Sequence, residues 1–434
     1  MKLNARRTIL IGFAFFSISA FWQMYNGVIP LMLTNTFHLN EALSGAIMAL
    51  DNVLALFLLP FFGALSDKCH SPMGRRMPFI VFGTLAAVVG MSVLPMLDNS
   101  FFASPASWKL AAFIAVLLFV LVAMGTYRSP AVALMPDLTP KPLRSRGNAI
   151  INLMGAVGGI VYLGISAVLY SGSRVAGLEH VDYGPLFMII AAIMVVSVAI
   201  VFASIRENKI EREVEAYEEA HPEENPVETD AATGKRTLPA AVRRSLEFLL
   251  CSIALWFIGY NAIETWFTTY AQAEWGMALG DASRCLIVCN AGAILAFIPV
   301  GHLSSRLGRK RTICTGICLL AAGFLFFTVW TFAGGKFSPV LYPFMLFLGV
   351  AWACINVNSL PMVVEMCTGA DTGKFTGYYY TFSMAAQTVT PVVAGWLMRA
   401  VSYRSLFIYA TFFVAASFVT MQFVRHGDTV DLVK

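Results

Sequence analysis

Twelve apolar runs follow one another along the chain: 8–33, 42–65, 79–97, 108–135, 147–170, 185–205, 246–270, 285–303, 312–332, 340–366, 375–400 and 403–424. Each is near the ~20 residues a helix needs to cross a bilayer, so the pattern predicts an all-α integral membrane protein. The first run is too long for the ~7–15-residue core of a cleavable signal peptide, and another follows at once, so it is expected to stay as a helix. The pattern breaks over 206–245. Arg206 to Glu219 is charged on every face, and His221–Lys235 collects Pro, Glu, Asp, Thr and Gly. Such a segment cannot bury a core and is expected to be flexible. The reading is therefore a six-helix bundle at 1–205, a charged cytoplasmic linker at 206–245 and a second six-helix bundle at 246–434.

Composition supports the bilayer as solvent. Of 434 residues, 58% are hydrophobic and 13% charged, with a mean hydropathy of +0.71; a soluble domain carries about 25% charged residues. With the N-terminus placed in the cytoplasm, 23 of the 30 Lys and Arg fall in cytoplasmic segments, as the positive-inside rule requires. Both termini are thus expected on the inner side of the plasma membrane. The formal charge of +5 follows from the same bias and implies no nucleic acid. Cys285/Cys289 and Cys314/Cys318 have helical i, i+4 spacing, but no His or carboxylate completes a metal set. They read as small packing residues.

The two halves match in sequence. Gly63 pairs with Gly301, Gly74 with Gly308, Pro130 with Pro361 and Gly147 with Gly377, at separations of 238, 234, 231 and 230 residues. Repeats of this kind build two related bundles facing a shared cavity, with substrate held near the midplane. The loop after the second run reads Gly63-Ala-Leu-Ser-Asp67-Lys-Cys-His-Ser-Pro-Met-Gly74-Arg75-Arg76-Met-Pro78-Phe79, and its partner reads Gly301-His-Leu-Ser-Ser305-Arg306-Leu-Gly308-Arg309-Lys310-Arg311. Gly63 allows close helix contact. Asp67 can accept from a helix N-terminus or pair with Arg75 or Arg76. The arginines mark topology and can touch anionic lipid. Ser305 stands where Asp67 stands in the first copy, so a cytoplasmic latch is expected to depend chiefly on Gly63, Asp67, Gly74, Arg75 and Arg76. Asp137 and Glu365 end the fourth and tenth runs on the same side and are expected to serve gating or capping.

This loop resembles the signature of the major facilitator superfamily, Gly-x-Leu-x-Asp followed by Gly-Arg-Arg/Lys. Its expanded form and the lead-in Asp51-Asn-Val-Leu-Ala-Leu-Phe-Leu-Leu-Pro60 are similar to sucrose-transporter-like members of the glycoside–pentoside–hexuronide:cation symporter group. The resemblance implies a twelve-helix carrier and cation-coupled uptake of a glycoside. Two departures bear on that. Plant-type sucrose carriers have an Arg just after the Pro of the fourth helix, whereas Arg128 precedes Pro130 by two residues. A melibiose-type carrier has two acids one turn apart in its second helix; Ala55 and Leu59 stand there, with Asp51 a turn earlier. The sodium-coupling pair is thus missing, which favours H+ over Na+.

Three ionisable residues lie well inside apolar runs: Asp51, Arg128 and Glu264. Each costs at least ~2.5–3.5 kcal/mol on insertion scales, which makes it a functional candidate. Asp51 lies roughly 15 Å along its helix, near the midplane. It is the expected proton carrier, with Arg128 as its partner. Tyr260, Asn261, Glu264 and Thr265 make one polar stripe. Uncharged candidates for a sugar are Trp22, Gln23, Tyr25, Asn26, Asn152, Asn356, Asn358, Tyr379 and Gln387. Amides both donate to and accept from hydroxyls, and aromatic rings offer flat apolar faces. No metal set, phosphate loop or nucleophile–base pair indicates an enzyme, and no cofactor beyond the coupling ion is implied. The expected protein is a monomeric, proton-coupled sugar symporter working by alternating access. Proton-coupled efflux of lipophilic compounds and a non-transporting membrane sensor are the alternatives.

Overall fold

The computed structural model describes residues 4–140, 144–220, 240–366 and 372–428. Among these, all regular structure is helical. Helix α1 (Ala5–Leu31) runs on through a π-turn (Met32–Thr36), and α2 (Glu41–Met48) with α3 (Leu50–Asp67) forms the second expected span, broken at Ala49. Then come α4 (Met77–Ala103), α5 (Ser107–Asp137), α6 (Arg144–Leu169), the one-turn α7 (Gly172–Val175), α8 (Gly184–Ser204) and α9 (Glu207–Ala220). The second half holds α10 (Ala240–Trp275), α11 (Leu279–Leu307), α12 (Arg309–Phe332), a 3-10 turn (Pro339–Leu341), α13 (Tyr342–Val364), α14 (Thr372–Ala400) and α15 (Ser405–Gln422).

Local chemistry sets the starts of these helices. The side chain of Asn4 accepts from the Arg7 amide ahead of α1 at 3.0 Å, and Asn40 accepts from Leu43 ahead of α2 at 2.9 Å. Such caps satisfy amides that no helix carbonyl can reach. Proline opens α4, α8 and α13, where a missing N–H costs nothing. Among the described residues, eleven helices are long and apolar enough to cross a membrane. The twelfth expected span is also helical, as α14, but falls outside that set. Its Tyr378–Tyr380, Ser383, Gln387, Thr388 and Thr390 make it more polar than its neighbours.

The chain divides into two compact units, one of residues 1–39 with 50–227 and one of 40–49 with 228–434. In the first, α1 packs on α6 and α8, α4 on α5 and α8, and α3 on α5. In the second, α10 packs on α14 and α15, α12 on α13 and α15, and α11 on α13. Each of these pairings therefore recurs in the other unit at the matching helix positions. The duplication read from spaced glycines and prolines is also a duplication of packing.

Helix α2 packs within the second unit, on α14. A Cβ on Gly45 would meet the Pro391 carbonyl, and one on Gly395 would meet the Glu41 carbonyl, with Trp266 beside both. Trp266 Nε1 donates to the Pro391 carbonyl at 3.2 Å, and the Tyr403 hydroxyl donates to the Glu41 carboxylate. Small residues that let backbones approach are the usual means of joining helices in lipid. Gly45→Leu should lower the melting midpoint of the purified protein, because overpacking costs about 1–3 kcal/mol. Ala46→Leu, on the exposed side of α2, should leave the midpoint near wild type; equal losses would mean the crossing is not tight.

One expectation fails here. A flexible linker over 206–245 does not hold for 207–220, which is helix α9, nor for 240–245, which begins α10. Charge on every face hid a buried stripe. Val214 is 3% exposed and Glu207 1%, and Ile210 lies one turn from Val214 on the same side. The segment 221–239, which includes His221–Lys235, lies outside the described residues.

Candidate functional site

Within the first unit, α1, α3 and α5 bring Trp22, Tyr25, Asp51 and Arg128 into one polar group at membrane depth. Asp51 sits in the first turn of α3, and its Oδ1 accepts from the Asn52 amide at 2.5 Å and from Asn52 Nδ2 at 2.7 Å. Arg128 and Tyr25 both lie within electrostatic reach of this carboxylate. The Arg128 guanidinium stands 5.5 Å from the centroid of the Trp22 ring, a cation–π arrangement that steadies a charge away from water. Trp22 packs edge-on to Tyr25 at 5.4 Å. Its Nε1 is buried and, among the described residues, has no hydrogen-bond acceptor, a state that costs about 1–3 kcal/mol. Gln23 lies half-buried against Gly159 of α6, Asn26 is half-buried, and Asn152 is exposed.

The second unit carries its own polar aromatic wall. Tyr260 of α10 stacks on Trp352 of α13, with centroids 3.6 Å apart and planes 4° from parallel, and Phe257 meets Trp352 and Tyr379 edge-on. Glu264, one turn past Tyr260, lies near Tyr260 and Cys289. Among the described residues, no ion pair or hydrogen bond is made by its carboxylate. Asn261 and Asn358 donate to the carbonyls of Phe257 and Cys354, one turn back in their own helices, at 2.9 Å each. One N–H of each amide is thereby engaged, leaving the second N–H and the amide oxygen to serve a ligand. Asn356 is exposed, Gln387 half-buried, and the Tyr379 hydroxyl meets Ser359 Oγ at 3.2 Å.

At the Gly-Arg loop of the first unit, Arg76 is the hub. It is 5% exposed and reaches Asp137 Oδ2 at 2.9 Å, Ser66 Oγ at 2.5 Å, the Gly63 carbonyl at 3.3 Å and the Asp67 carboxylate. Burial works against its charge, but Asp137 and Asp67 outweigh it and hold the guanidinium protonated. Arg75 bridges Asp137 at 3.1 Å and Glu211 of α9 at 2.8 Å. Gly74 has φ +114°, and a Cβ there would strike the Glu207 carboxylate. Glycine is needed twice over, for the backbone and for the space.

Glu207 is the residue that sequence reasoning missed. Its two oxygens accept from the Arg76 and Met77 amides at 2.8 and 3.0 Å, capping α4 where the helix dipole favours an anion. Burial lifts its pKa above the ordinary glutamate value, and the amide donors offset only part of that. The second unit repeats the device. Asp428, beyond α15, accepts from the Arg309 amide at 2.8 Å, Gly308 has φ +93°, and Arg309 pairs with Glu365. An acid shortly after the sixth helix of each half was the available signal. Its separation, from Glu207 to Asp428, is shorter than that of the other landmarks, so the repeat did not reveal it. The side chain of Ser305 lies outside the described residues.

Duplicated helix packing, charged residues within apolar helices and paired loops at the helix ends are the arrangement of a transporter built from repeats. The sequence profile of the Major Facilitator Superfamily matches residues 11–298 and 272–431, and the chain belongs to that family. It is a transporter rather than an enzyme. A sucrose transport protein of Arabidopsis thaliana is 30% identical over 144 residues, covering 30% of this chain and 24% of that protein. The isoprimeverose transporter of Lactiplantibacillus pentosus is 21% identical over 318 residues, covering 71% of this chain and 61% of its own. The chain thus spans less than two thirds of the length of either. The inward-open xylose transporter XylE of E. coli superposes with a TM-score of 0.68 at 15% identity, covering 97% of this chain and 96% of that one. That likeness speaks for the fold.

Proposed function

We propose that the chain is a proton-coupled symporter of a neutral saccharide or glycoside, working as a monomer by alternating access. It lies in the plasma membrane with both termini cytoplasmic, and H+ rather than Na+ is the coupling ion. The observation that carries the proposal is the meeting of Asp51, Arg128 and the unaccepted Trp22 Nε1. A carboxyl at membrane depth beside a fixed cation changes its proton affinity when water or substrate enters, which is what coupling requires. Trp22 supplies a donor that a hydroxyl would satisfy. The Tyr260–Trp352 stack offers the kind of apolar face on which a pyranose rests. Relatives that carry sucrose and isoprimeverose support the substrate class.

The test is uptake of labelled sucrose, isoprimeverose and xylose into proteoliposomes, with an acid-outside pH gradient, a Na+ gradient or neither. Accumulation driven by the pH gradient is expected for at least one sugar. Failure of every sugar to accumulate would overturn the proposal. Trp22→Phe, which removes the orphan donor and keeps a smaller aromatic face, should raise the KM for that sugar about tenfold, equivalent to one lost hydrogen bond of ~1.4 kcal/mol. The melting midpoint should fall only modestly, through the smaller ring under Arg128 and against Tyr25. An unchanged KM would remove Trp22 from the site.

A further inference from the structure

We propose that Asp98 and His180 form a second proton-binding site, one that fastens the 170–183 segment to the end of α4 remote from Arg76. This site is independent of the coupling group at Asp51 and of the transport reading. Asp98 is fully buried, five residues before the end of α4, and among the described residues no donor makes a well-formed hydrogen bond to either carboxylate oxygen. The Thr36 hydroxyl of the π-turn faces it. His180 Nε2 lies 3.5 Å from Asp98 Oδ2 and 2.8 Å from Asn99 Oδ1. Asn99 turns its Nδ2 to Asp182 Oδ1 at 2.8 Å. That amide orientation makes Oδ1 the acceptor, so Nε2 carries a hydrogen. The ring is held flat on Phe102, with centroids 4.4 Å apart and planes at 11°.

Asp182 is the one further charge that acts on both members of the pair among the described residues, and its negative charge favours keeping the proton. Asp182 is engaged by Asn99 and by the Gly184 amide at 2.8 Å, and its carbonyl takes the Tyr170 hydroxyl at 2.9 Å. Tyr183, Tyr170 and Tyr162 are the other titratable neighbours on this side. Lys109 of α5 donates to the Ser100 and Ser104 carbonyls and to Ser104 Oγ at 2.6–2.8 Å, so its hydrogens are taken. One proton on the pair leaves it without net charge, whichever partner holds it. Losing that proton leaves a bare carboxylate in a dry site, which is strongly unfavourable. The folded protein therefore keeps the proton to higher pH than the unfolded chain, in which His180 releases it near pH ~6.5. The proton's contribution to stability is full below that value and is lost as pH rises above it.

The experiment is the melting midpoint of the purified full-length protein in detergent, followed from pH 4 to 8.5 for wild type, Asp98→Asn and His180→Gln. Relative to Asp98→Asn, the wild-type midpoint should fall by about 1–2 °C per pH unit from pH ~6.5 up to the pH at which the folded pair gives up its proton, the effect of one proton on a chain of this size. In His180→Gln the carboxyl is left alone, so the same fall should begin near pH ~4. Parallel wild-type and Asp98→Asn curves would overturn the site. If Asp98→Asn does not fold, a His180→Gln curve parallel to wild type would overturn it instead.

Discussion

Arg76→Ala is expected to lower initial uptake rates at least about tenfold and to reduce the melting midpoint by several degrees. Arg76 is buried and joins Gly63, Ser66, Asp67 and Asp137, which belong to α3 and α5, to the start of α4. Removing one partner of a buried ion pair costs about 3–5 kcal/mol, because the remaining charges lose their counter-ion in a poorly solvated place. Its acids should not matter equally. The side chain of Asp67 is 55% exposed, that of Asp137 19%, and Asp137 meets both arginines. An exposed pair contributes roughly 0–1 kcal/mol. The expected order of loss is therefore Arg76→Ala, then Asp137→Asn, then Asp67→Asn. Uptake rates and thermal scans of the three variants check it, and an Asp67→Asn defect equal to that of Arg76→Ala would contradict it. Arg309→Ala should cost less than Arg76→Ala, since Arg309 is more exposed and, among the described residues, its guanidinium pairs with one acid, Glu365.

Asp51→Asn should abolish accumulation of sugar against a gradient while leaving exchange of labelled for unlabelled sugar measurable. Asn keeps the size and the acceptor oxygen that Asn52 uses but cannot take up a proton. If binding is intact and only the proton step is lost, downhill exchange persists and the response to an imposed pH gradient disappears. Counterflow and gradient-driven uptake in the same proteoliposomes separate the two. Concentrative uptake surviving in Asp51→Asn would move the coupling site elsewhere, with Glu264 the next residue to replace.

Periodicity and spacing made the helices legible to within a few residues, because a bilayer permits little else for a long apolar run. The repeat was legible as well, through Gly63, Gly74, Pro130 and their partners. Three things were not. The break at Ala49 lies inside an apolar run, where no sequence signal marks a division between α2 and α3. Helix α9 was hidden because its stripe is narrow, with Ile210 and Val214 surrounded by charge. Glu207 was hidden because capping depends on where a carboxylate arrives in space, and α9 carries it back to the α4 N-terminus. Within the membrane, sequence reasoning located the rare charges Asp51, Arg128 and Glu264 but could not say which amides were already engaged. Asn261 and Asn358 turned out to be bonded to their own helices.

Residues 40–49 have a consequence for any attempt to split the protein. A cut anywhere in 221–239 gives two polypeptides, and the seam between them is not the seam between the compact units. The first piece carries α2 away covalently, although α2 is folded against Trp266, Pro391 and Gly395 of the second. Made alone, the second piece has a vacant seat lined by an indole and bare backbone carbonyls. Co-expressed fragments should therefore reassemble through an exchanged ten-residue segment, in the manner of a swapped element. A synthetic peptide of residues 40–49 should rescue the solubility of the second piece better than one carrying Gly45→Leu.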